Sequence, residues 1–160
     1  TVNSAGTISV DTANLLEATT SRVITASITT SETVDELNTL TGTGNAYTIV
    51  IAGGDATATT AAEFNSINGK TTVAVNMTNV TALAGSSLAD LGTLATAISN
   101  NEFSNATGLT TIAVTDTTVD ATALAARIDS YDSINAGATT GMTLASGATI
   151  NVDAAELNSW

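Results

Sequence analysis

One phrase recurs along this chain: a small polar residue, then apolar residues at helical spacing around a central large one. It reads "TISVDTANLLEA" at residues 7–18, "TVDELNTL" at 33–40, "AAEFNSI" at 61–67, "SSLADLGTL" at 86–94, "TVDATALAARI" at 118–128 and "TINVDAAELNSW" at 149–160. The central apolar residues Leu15, Leu37, Phe64, Leu91, Leu124 and Leu157 follow one another at steps of 22, 27, 27, 33 and 33 residues. Clustered but unequal steps are what one structural unit gives when its loops lengthen from copy to copy. Val34, Leu37 and Leu40 stand three apart, as do Ala61, Phe64 and Ile67, and Leu88, Leu91 and Leu94, which lays an apolar stripe down one side of a helix. The six central residues are therefore the expected core. Thr59, Ser86 and Asp120 are the expected helix N-caps, whose side-chain oxygens take up an otherwise unpaired helical N–H. Trp160 falls where Ile67 and Leu94 fall in earlier copies, so it is expected to face a core.

A second element precedes the phrases. "RVITASI" (22–28), "AYTIVIAGG" (46–54), "KTTVAVNM" (70–77) and "LTTIAVTD" (109–116) alternate β-branched and small residues with a period of two, the pattern of a strand. Thr-Thr pairs introduce several of these runs, among them Thr71-Thr72 and Thr110-Thr111. One unit thus reads strand, turn, short helix and return, and strands separated by helices pair in parallel. The expected fold is α/β: a repeat solenoid of short parallel strands and short helices. The alternative is a parallel β-solenoid in which the helical phrases are turns, and a closed α/β domain comes third. About six units form a single array over 1–160, near 1–20, 21–45, 46–70, 71–108, 109–138 and 139–160. A unit this small cannot bury its apolar face alone and needs neighbours. Neighbouring repeats of the same protein are the expected partners, and open sheet edges at the ends favour end-to-end self-association.

Composition narrows the function. Hydrophobic residues make up 43% but aromatic ones only 3%, so any core is built from Ala, Val, Ile and Leu. Three basic residues (Arg22, Lys70 and Arg127) face fifteen acidic ones, which argues against nucleic acid and against anionic membrane surfaces. No apolar run is long enough to suggest membrane insertion. With no Cys and no His, thiol nucleophiles, the commonest general base and the usual zinc ligand sets are missing. Asp129 and Asp132 could do acid–base work only inside a cleft that separates their pKa values, and on a helix they read as a solvated face. The expectation is a protein that is not an enzyme and needs no cofactor. No charged-then-apolar leader stands at Thr1, as expected for a piece of a longer chain whose export signal lies elsewhere.

Two features keep a binding role open. "GGDATAT" (53–59) is similar to half of the glycine-and-aspartate nonapeptide that holds calcium in parallel β-rolls, and Asp55, Asp116 and Asp120 are the candidate ligands. It occurs once and lacks the third glycine, so a turn after the preceding strand is the favoured explanation. The polar stretch "NNEFSNATG" (100–108) follows a long helical phrase; it reads first as a tolerated loop insertion and otherwise as a candidate binding edge for a glycan or a protein.

"TDTTVDATALAARIDSYDSINAGATTG" and "INGKTTVAVNMTNVTALAGSSLADL" resemble the degenerate Thr/Ala/Asp-rich repeats of giant secreted bacterial surface proteins of the cyanobacterial type. The resemblance implies export, an extracellular or cell-surface location and a scaffold, adhesin-like or surface-layer role, with no catalytic residues to carry over. The expected function is a non-enzymatic structural segment of such a protein. The alternative is a binding module for calcium, a glycan or a protein partner.

Overall fold

Short strands and short helices alternate in the computed structural model, which describes residues 1–53, 58–135 and 140–153. The order is β1 (Val2–Ile8), α1 (Val10–Thr19), β2 (Ile24–Ile28), α2 (Val34–Asn38), β3 (Ala46–Thr48), α3 (Ala61–Asn68), β4 (Val75–Asn76), β5 (Ala82–Ser86) and α4 (Leu88–Ser99). It continues with β6 (Phe103–Ser104), a 3-10 turn (Ala106–Gly108), β7 (Thr111–Val114), β8 (Thr118–Asp120), α5 (Ala121–Ile134), β9 (Gly141–Leu144) and β10 (Thr149–Asn151). Among the described residues the fold is mixed α/β, every strand pair is parallel and no barrel closes. Five of the helical phrases form helices rather than turns, because each starts on a side-chain cap and carries an apolar stripe.

The pairing register measures the chain between neighbouring strands. Val2 lies opposite Ile24, Thr25 opposite Ala46, Val50 opposite Asn76, Val75 opposite Phe103, Ala82 opposite Thr111, Thr111 opposite Gly141 and Thr118 opposite Thr149. The separation therefore grows from about 21 residues near the N-terminus to about 31 near the C-terminus. β1 leads almost directly to α1 and β2 reaches α2 through residues 29–33, whereas β4 is followed by β5 before α4 begins.

The inward strand faces are those expected. Ile24, Ala26 and Ile28 are buried, as are Tyr47, Ile49 and Ile51, Val75 and Met77, and Ile112 and Val114. "KTTVAVNM" is a strand only at Val75–Asn76; upstream, Thr71 makes the link by side chain, its hydroxyl accepting from the Tyr47 N–H (3.0 Å) and donating to the Tyr47 carbonyl (2.7 Å).

The helical core residues hold in part. Leu37, Phe64 and Leu91 are fully buried and Leu124 is half-buried, while Leu157 and Trp160 lie outside the described residues. Leu15 is a correction: it is 66% exposed, and α1 turns Val10 and Ala13 inward instead. The cap sets the phase. Ser9, Thr33, Thr60, Ser87 and Asp120 each cap a helix, and four residues on stand Ala13, Leu37, Phe64, Leu91 and Leu124. The first step is thus 24 residues from Ala13 to Leu37, and a small Ala takes the place where Leu15 was expected.

Asp120 caps as expected, accepting from the Ala123 N–H at 2.8 Å. The other two caps are corrected by one residue, to Thr60 and Ser87. At Thr33 and Thr60 a Glu three residues on closes a capping box, with Glu36 and Glu63 each accepting from the cap residue's N–H at 2.7 Å. The backbone and side-chain hydrogen bonds from Thr33 hold the Glu36 carboxyl below its ordinary pKa.

Candidate functional site

The displaced cap at Ser86 has a structural reason. Ser86 precedes the residue that caps its own helix, and its hydroxyl turns to accept the Ala61 N–H of α3 at 2.9 Å, 25 residues back. Asp116 does the same for α4, its carboxylate accepting the Leu88 N–H at 2.7 Å, and Glu32 does so for α1 through the Val10 N–H at 3.1 Å. In each case the first N–H of a helix, which has no partner within the helix, is satisfied from the next strand–helix segment. The carboxylates also sit at the positive end of the helix dipole.

This places the metal candidates. Asp116 and Asp120 spend a carboxylate oxygen each on a helix N-terminus, and Asp55 lies outside the described residues. Among the described residues no group of three or more His, Cys, Asp or Glu side chains converges to hold a metal ion. Asp129 is exposed, while Asp132 is half-buried and accepts the Thr140 N–H at 2.7 Å. Replacing Asp116 by Ala should cost about 1–2 kcal/mol through the lost charged cap. Amide exchange should quicken first at the start of α4, and protection unchanged there would count against the cap.

Asparagines make a second set of cross-links. Asn45 accepts the Ile24 N–H (2.9 Å) and donates to Glu17 (2.9 Å), Asn65 donates to the Asp90 carbonyl (3.0 Å), and Asn79 donates to the Ile51 carbonyl (2.8 Å). Buried Asn135 donates to the Leu109 carbonyl and to the Thr140 hydroxyl. Partners 21 to 28 residues apart repeat the strand register, and that spacing is the signal by which sequence could have found them.

The polar stretch 100–108 lies against a groove. Phe103 and Ala106 are buried and anchor it, while Asn101 and Asn105 adopt left-handed backbone conformations (φ 61° and 58°). Between this stretch, α4 and α5 opens a groove of about 1000 Å³, and Arg127 of α5 lines it. Arg127 also lines a second groove of about 550 Å³ between α3 and α4, and its guanidinium passes over Gly92, where a Cβ would approach to 2.8 Å. Its Nε is buried without a hydrogen-bond partner.

Among the described residues no helix is long and apolar enough to cross a membrane. No family model, curated protein or solved structure matches the chain.

Proposed function

We propose that the chain is a stacked α/β solenoid serving as a structural segment of a secreted cell-surface protein, each strand–helix unit forming one layer. The observation that carries this reading is the cross-segment capping: Glu32, Ser86 and Asp116 each satisfy the helix of the segment before. A layer is then completed by its neighbour, and separation carries a cost in unpaired backbone. Parallel register between successive segments and the packing of α2 on α3, α3 on α4 and α4 on α5 support the same reading. So does the place of the large exposed apolar side chains among the described residues: Leu15 and Val23 near one end of the chain, Ile150 and Val152 near the other. Further layers of the same protein, or a second copy end to end, would cover them. The segment acts mechanically, holding what it joins at a fixed spacing, and it performs no catalysis.

In a stack, stability is roughly a sum of unit and nearest-neighbour terms. A chain cut after Gly108 should therefore keep its helical and strand circular dichroism and melt about 10 °C lower. A truncated chain with no structure at room temperature would defeat the layered reading. The location is tested by antibody labelling of intact cells of the source organism, where signal only after permeabilisation would remove the cell-surface role.

A further inference from the structure

We infer that the groove between α4, α5 and the stretch 101–107 binds an acidic oligosaccharide, with the Arg127 guanidinium taking a sugar carboxylate. The chain has fifteen acidic residues and three basic ones; no carboxylate lines this groove and Arg127 does, while Arg127 also borders the second groove, which Gly92 and Glu102 line. That guanidinium forms no ion pair among the described residues, and its Nε is buried without a hydrogen-bond partner. The Nε is out of a ligand's reach, but the two terminal Nη groups also make no hydrogen bond among the described residues and are the donors a ligand would meet. The planar fork of an arginine fits a carboxylate with two parallel hydrogen bonds.

Asn101, Ser104, Thr107 and Ser133 line the groove and make no side-chain hydrogen bond among the described residues. Ser99 and Ser130 donate their hydroxyl protons to the Ala95 and Ala126 carbonyls, which leaves their oxygens as acceptors. Hydroxyls and amides that both give and take hydrogen bonds suit sugar hydroxyls, and a single cation suits one carboxylate among many hydroxyls. The left-handed backbone at Asn101 and Asn105 brackets the anchored Phe103, so the rim is held in place rather than free to collapse inward. Phosphate-rich ligands would require a cluster of cations, which this groove lacks.

Gly92 supplies an internal control. A methyl group there would meet the tip of the Arg127 side chain, which is free to move aside, so Gly92→Ala should shift the guanidinium without harming the helix. The experiment is calorimetric titration of the chain with tri-galacturonate, with maltotriose as the neutral sugar and tri-glutamate as the acidic peptide. Saturable binding of tri-galacturonate alone is expected, weakened at least about tenfold in Arg127→Gln and measurably in Gly92→Ala, with both variants melting no lower than about the parent. Binding of maltotriose as tightly would overturn the role of the carboxylate, and tri-glutamate binding as tightly would overturn the sugar. No binding at all, or binding indifferent to Arg127→Gln, would overturn the site. The inference is independent of the layered reading, because the truncation after Gly108 tests the stack and these titrations test only the groove.

Discussion

Phe64→Asp should unfold the middle of the chain, whereas Leu15→Asp should leave it almost unchanged. Phe64 is fully buried on α3 and meets the Phe103 ring of β6 edge-on, with centroids 6.3 Å apart and planes at 87°. Losing that ring costs about 3–5 kcal/mol in transfer and cavity terms. An ionised carboxylate in its place adds a desolvation penalty of at least a few kcal/mol unless it takes up a proton. Since single domains hold about 5–15 kcal/mol in total, the variant should lose most or all of its cooperative melting transition. Leu15 has the larger apolar neighbours in sequence but is 66% exposed, so a charge there should cost within about 0.5 kcal/mol. Thermal melts of the two variants beside the parent decide the matter. Equal melting temperatures for Phe64→Asp and Leu15→Asp would mean that the phase set by the caps is wrong.

That contrast also measures what sequence could reveal. The strand faces were legible because β-branched residues alternate over runs such as Ile24–Ile28 with little competition from other patterns. The helices were legible because Val34, Leu37 and Leu40, or Ala61, Phe64 and Ile67, leave one choice of stripe. In "VDTANLLEA" two stripes compete, and the larger residues lie on the wrong one. Size misled there, since Ala13 is fully buried and Leu15 is not. The cap Ser9 fixes the phase, but only once the other caps show that the buried centre lies four residues beyond.

The paired hydroxyls mark a second limit. Thr59-Thr60 and Ser86-Ser87 each offer two equivalent N-cap candidates, and local chemistry does not rank them. The ranking comes from the neighbouring segment: Ser86 is drawn to the Ala61 N–H, which leaves Ser87 to cap α4. Asn79 matters for its bond to the Ile51 carbonyl 28 residues away, a relation no local window contains. For the candidate groove, the polar stretch 100–108 was legible but Arg127 was not, since it reaches the groove from the following long helix, α5.

Alkaline solution should destabilise the chain through one buried phenol. Tyr131 is fully buried on α5 and donates to the Leu91 carbonyl of α4 at 3.1 Å. Burial holds its pKa well above the usual tyrosine value, against a weaker opposite pull from the Arg127 guanidinium. Tyr47 is raised as well, by burial and by the negative charge of Glu17. Below about pH 10 both states keep the Tyr131 proton and its full contribution to stability is present. Above that value the unfolded chain releases the proton while the folded chain retains it, so stability falls as pH rises toward the folded pKa, by about 1.4 kcal/mol per pH unit from this group. Tyr131→Phe removes the hydroxyl and with it that slope, while costing about 1 kcal/mol near neutral pH for the lost hydrogen bond. Urea unfolding across the alkaline range should therefore show the parent the more stable near neutrality and the two curves converging above about pH 10. Curves that stay parallel through that range would mean that the Tyr131 hydroxyl is not buried between α4 and α5. The packing of those two helices, which also shapes the groove beside Arg127, would then need to be redrawn.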